Sequence, residues 1–147
     1  MKKKLLSLLL AVAMVVTLAA CGEKKPTPGK DATATEPVVI LHTNDVHGAI
    51  ENYAKVAVLA SQYESEGAYV LILDAGDFSQ GTSYVSLSEG AAAIELMNMT
   101  GYDAAALGNH EFDYGFEALK KNMESAGFPV LAANVKYNGE LAFDDAA

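Results

Sequence analysis

The chain has 147 residues, 51% of them apolar, and a formal net charge of −9. Such a length and composition fit one modest core and exclude an intrinsically disordered chain. All ten basic residues are lysine and three of them stand at positions 2–4, so the remainder is acidic and offers no basic patch for nucleic-acid phosphates.

At the N-terminus, Lys2 to Lys4, the apolar run Leu5 to Leu18 and the small residues before Cys21 have the layout of an export signal. The run Leu18-Ala19-Ala20-Cys21 resembles a bacterial lipobox. That resemblance implies a signal over residues 1–21, lipidation of Cys21 as the mature N-terminus, and anchoring to the membrane at the bacterial cell surface or in the periplasm. An ordinary signal with an incidental cysteine is the competing reading. Cys21 is the sole cysteine, so no internal disulfide is available. Residues 22–37, rich in Lys, Pro, Thr, Gly and Ala, read as a flexible tether ahead of a folded portion at 38–147.

Val38 to Leu41 is a continuous apolar, β-branched run, which predicts a strand buried on both faces of a parallel sheet. Tyr53, Val56, Ala57, Ala60 and Tyr63 recur at helical spacing, with Gly67 at the C-cap. Tyr69 to Leu73 predicts the second strand, followed by a long polar loop through Ser88. A helix over Glu89 to Thr100 follows, capped by Ser88 and stopped by Gly101. Ala104 to Leu107 predicts the third strand, Phe116 to Ala126 the third helix, closed by Gly127, and Val130 to Ala133 the fourth strand. The alternation predicts an α/β fold of repeated βαβ units, with mostly parallel buried strands and flanking helices.

Each of the first three strands ends in a polar cluster, where ligands gather in open α/β sheets. Asp45 and His47 stand two apart, so in extended backbone both side chains point to one side and can converge on a metal ion. Taken alone, the pair fits a turn with a surface histidine equally well. Asp77 follows the second strand within Asp74-Ala75-Gly76-Asp77, ahead of Gln80-Gly81-Thr82, where glycines let backbone N–H groups approach an anion. The third cluster, Gly108-Asn109-His110-Glu111-Phe112-Asp113, offers an amide oxygen donor in Asn109 and an acid or positioning group in His110. Asp113 is placed to hold the other ring nitrogen of His110, and also to cap the following helix. Three successive strand ends bearing hard-metal or acid–base groups carry more weight than any one. A bound dication would also reverse the local charge of an acidic chain and let it handle phosphate esters.

The runs Val38 to Ile50 and Tyr102 to Asp113 resemble the two signature blocks of the bacterial 5′-nucleotidase family, within the calcineurin-like metallophosphoesterases. Gly76-Asp77-Phe78-Ser79-Gln80-Gly81-Thr82 is similar to a third segment. The resemblance implies the N-terminal part of a metallophosphoesterase sandwich with two divalent ions, whether Mn, Zn, Fe or Co. It implies that Asp45 and His47 ligate one ion, Asp77 bridges both and Asn109 binds the second, with His110 as catalytic group and Asp113 orienting it. The implied reaction is hydrolysis of a nucleotide by in-line attack of metal-activated water, the ions roughly 3.5 to 4 Å apart. Alternatives that use the same loops are a 2′,3′-cyclic-nucleotide phosphodiesterase, a nucleotide-sugar hydrolase, and a non-catalytic lipid-anchored binding module. His42 and Glu111 carry no direct metal role; a strand-end hydrogen bond and a solvated or supporting carboxylate are expected of them. In the family, further ligands come from downstream histidine motifs, and no histidine follows His110. The chain is therefore expected to be the N-terminal piece of a longer enzyme, to bind the second ion poorly and hydrolyse little by itself, and to expose a sheet edge.

Overall fold

The computed structural model describes residues 36–143. The signal segment with Cys21 and the tether through residue 35 lie outside the described residues. Four parallel strands, β1 (Val38–Thr43), β2 (Tyr69–Asp74), β3 (Ala104–Ala106) and β4 (Val130–Leu131), pair in the order β1-β2-β3-β4. Between them run α1 (Glu51–Ser65), the short α2 (Ser83–Ser86), α3 (Ala91–Thr100), a 3-10 turn at His110–Phe112, and α4 (Phe116–Ser125). Pro37, assigned by sequence to the tether, already accepts the Tyr69 N–H at 2.9 Å, so pairing begins one residue early.

This strand order corrects the expectation that β1 is buried on both faces. Parallel crossovers keep one hand, so a sheet that steps in a single direction receives all its helices on one side. Thr43, Leu41 and Val39 face those helices in register with Asp74, Ile72 and Val70, the last three buried. On the opposite face Val38 and Ile40 are 62% and 58% exposed. Among the described residues β1 and β4 are the two edges of this sheet. The core lies between sheet and helices, where Tyr53, Ile72, Ile94, Met97, Tyr102, Ala105 and Phe128 pack together.

Three local details differ from the sequence expectation. The polar loop before Ser88 contains α2, folded because Val85 is fully buried. The helix expected from Glu89 starts at Ala91, since Glu89 and Gly90 have φ of 52° and 90°; Ser88 Oγ nevertheless accepts the Ala92 N–H. The helix expected to close at a glycine ends instead at extended Ala126, and Gly127 N–H donates to Asn98 Oδ1. Beyond β4, an antiparallel hairpin pairs β5 (Lys136–Tyr137) with β6 (Glu140–Leu141) around Asn138-Gly139, both at positive φ. Asn-Gly is the dipeptide preferred in two-residue hairpin turns.

Candidate metal centre

Thr43 and Asp74, the last residues of β1 and β2, are partners in register, so the two following loops leave the sheet side by side. The first then runs over the second: Asp45 N–H donates to the Gly76 carbonyl at 3.0 Å, His47 N–H to the Asp77 carbonyl at 3.1 Å, and Thr82 N–H to the His47 carbonyl at 3.2 Å. Asp45, His47 and Asp77 all have left-handed backbones, with φ of 50°, 46° and 62°. Non-glycine residues adopt that region at a cost, and such strain concentrates at functional sites.

The crossing leaves no space for side chains at two glycines. A Cβ on Gly81 would lie 1.9 Å from the His47 carbonyl oxygen, and one on Gly108 would lie 2.2 Å from Asp77 Oδ1. The third loop locks onto the second at the same place, because the His110 N–H donates to Asp77 Oδ1 at 2.9 Å.

These crossings bring His47, Asp77 and His110 together, one ligand atom from each lying within 4.8 Å of the others. The His47 and His110 rings meet edge to face with centroids 5.0 Å apart. Asp45 flanks the cluster, its Oδ1 3.6 Å from His47 Nε2. The Asn44 amide, 2.8 Å from Asp45 Oδ2, and the His47 ring hold the Asp45 carboxyl below the usual carboxylate range. Asn109, next to His110 in the chain, is exposed. Two imidazoles and a half-buried carboxylate are a donor set suited to a borderline divalent cation, so the residues present fit a metal ion.

His110 Nδ1 lies 2.7 Å from Asp113 Oδ2, and this bond raises the imidazole pKa above its ordinary value. With Nδ1 bound to the carboxylate, the other ring nitrogen is left for a ligand. Asp113 does not cap the following helix: the N-cap position is Gly115, which offers no side chain, and Asp113 has turned back to His110 instead. His42 is exposed on the open face of β1, and the strand-end hydrogen bonds belong to its neighbour Thr43.

Two groups lie deeper in the structure than the sequence indicates, Glu111 in the supporting role that is one of its two expected readings. Glu111 is 3% exposed rather than solvated, and its carboxylate accepts the backbone N–H groups of Asp77, Phe78, Ser79 and Gly108. Beneath the loops, Thr43 Oγ1 donates to the buried Asp74 carboxylate and sits 2.7 Å from the Tyr102 hydroxyl, while the Gly76 N–H reaches Asp74 Oδ1. Burial pushes Asp74 up to about 6 and Tyr102 to about 12.

The calcineurin-like phosphoesterase family profile matches residues 38–144. The 5′-nucleotidase of Vibrio vulnificus is 37% identical over 147 aligned residues, covering 91% of this chain and 26% of that protein. Human 5′-nucleotidase is 40% identical over 71% of this chain and 21% of its own length. The structure of the 5′-nucleotidase precursor from Thermus thermophilus superposes with a TM-score of 0.64 at 33% identity, over 73% of this chain and 24% of that one. The NAD nucleotidase of Haemophilus influenzae gives 0.62 at 31% identity, over 71% and 22%. The chain thus spans about a quarter of the length of these relatives. Among the described residues no helix is long and apolar enough to cross a membrane.

Proposed function

The chain belongs to the calcineurin-like phosphoesterase family, and on that premise we propose that it carries metal-binding loops of a nucleotide phosphohydrolase of the 5′-nucleotidase type. The observation that supports this reading best is the convergence of His47, Asp77 and His110 at adjoining strand ends. Asp45, His47 and Asp77 would hold one divalent ion, and Asp77 with Asn109 the second. Mn, Zn, Fe and Co all suit this mixed ligation. Bound ions would supply Lewis acidity and a nucleophile at neutral pH.

The chain's own side chains do the rest. His110, oriented by Asp113, faces the phosphoryl group with its free ring nitrogen, stabilising charge there or protonating the leaving oxygen. Its closeness to His47 and Asp77 favours a second role, that of a metal ligand beside them. Replacing His110 by Asn separates the two: retained Mn²⁺ binding with a large fall in phosphate release from AMP assigns catalysis, and lost Mn²⁺ binding assigns ligation. A chain that binds none of Mn²⁺, Zn²⁺, Fe²⁺ and Co²⁺ would overturn the whole reading.

Likeness to a NAD nucleotidase supports a dinucleotide or nucleotide sugar as a second substrate class for the same loops. Export and lipid anchoring through Cys21 complete the proposal. Labelled palmitate should enter the wild-type protein and not Cys21→Ser.

A further inference from the structure

The Glu111 carboxylate joins two loops that are far apart in sequence. Its Oε1 accepts the Phe78 N–H at 2.9 Å, the Ser79 N–H at 3.1 Å and the Ser79 hydroxyl at 3.0 Å. Its Oε2 accepts the Asp77 N–H at 2.9 Å and the Gly108 N–H at 2.6 Å. We propose that Glu111 is a positioning residue, clamping the Asp77 loop to the Gly108–Asp113 loop so that His47, Asp77 and His110 meet. The inference rests on the metal-centre reading only for what the clamp serves.

Three observations carry it. Asp77 stands at φ 62°, a conformation that needs outside support, and Glu111 grips its N–H directly. A run of three successive N–H groups forms an anion nest, which here is filled by the protein's own carboxylate from the neighbouring loop. The clamp also closes a ring, since His110, the residue before Glu111, returns its N–H to Asp77 Oδ1. Burial makes the arrangement stringent, because each donor left without an acceptor there loses its water as well.

Glutamine at this position keeps the shape and removes one acceptor. Whichever way its amide is turned, the NH₂ group faces two or more donors. Glu111→Gln is expected to weaken Mn²⁺ binding by the intact chain, followed by electron paramagnetic resonance, about tenfold or more. In hydrogen exchange without metal, the amides of Asp77, Phe78, Ser79 and Gly108 should exchange faster while those of β2 keep their wild-type rates. Unchanged affinity and unchanged exchange would overturn the inference, and so would loosening spread evenly over β2 and the loops.

If Glu111→Gln does not fold, Ser79→Ala decides. It withdraws the hydroxyl that reaches Glu111 and the His110 carbonyl. A roughly two- to fivefold weaker Mn²⁺ affinity at the wild-type thermal midpoint supports the clamp, and unchanged affinity contradicts it. Failure of the wild-type chain to bind Mn²⁺ would count against the phosphohydrolase reading alone; the exchange rates would then decide for or against Glu111.

Discussion

Asp113 Oδ2 lies 2.7 Å from Nδ1 of His110, three residues earlier, on the far side of a single 3-10 turn. The contact fixes which ring nitrogen remains for a ligand. Asp113→Asn should bring the His110 imidazole pKa down toward its ordinary value, because the carboxylate beside Nδ1 is what raises it. Proton NMR titration of the metal-free chain checks this, and an unmoved His110 pKa would remove Asp113 from the positioning of the ring.

Gly81 is held where no side chain fits, at φ +130° with the His47 carbonyl in the space of a Cβ. Gly81→Ala should therefore displace the His47 loop or strain the backbone, destabilising the protein by roughly 1–3 kcal/mol. Urea unfolding measures this, and an unshifted midpoint would show that the loop yields freely.

Asp74 supplies the pH dependence. Its pKa rises from 3.8 to about 6 on folding because burial disfavours the charged form. The folded state thus binds the proton more tightly than the unfolded one. Its contribution to stability is present in full below pH 3.8 and is lost as pH rises to about 6. The difference corresponds to roughly 3 kcal/mol. Asp74→Asn should lack this component, so the stability gap between variant and wild type should change across that window and be flat above it. Thr43→Val, which removes the hydroxyl donated to the carboxylate, should push the Asp74 pKa higher still. A gap that stays constant from pH 4 to 7 would contradict the assignment.

The sequence disclosed the strand ends well, because chemistry-bearing residues directly follow apolar runs at Leu41, Leu73 and Leu107. The pairing of His110 with Asp113 was legible too, being local. For Glu111 a supporting carboxylate was legible as one of two readings, but its partners were not: four of its five donors belong to residues 32 to 34 positions away, and nothing in the spacing of a single acidic residue announces them. The open face of β1 was hidden for another reason. Val38, Val39, Ile40 and Leu41 are apolar on both sides, so they show no period of two, and only the strand order tells which side the helices cover. The Asn138-Gly139 hairpin is legible in its dipeptide alone. The dual prospect for Asp113, as helix cap or imidazole partner, needed coordinates to decide.

Titration of the intact chain with Mn²⁺ by calorimetry, repeated for His47→Asn and Asp77→Asn, tests the metal centre most directly. One ion should bind per chain, a second only weakly, and each substitution should weaken the first site about tenfold or more. Two tightly held ions, no binding, or binding indifferent to both substitutions would contradict the account.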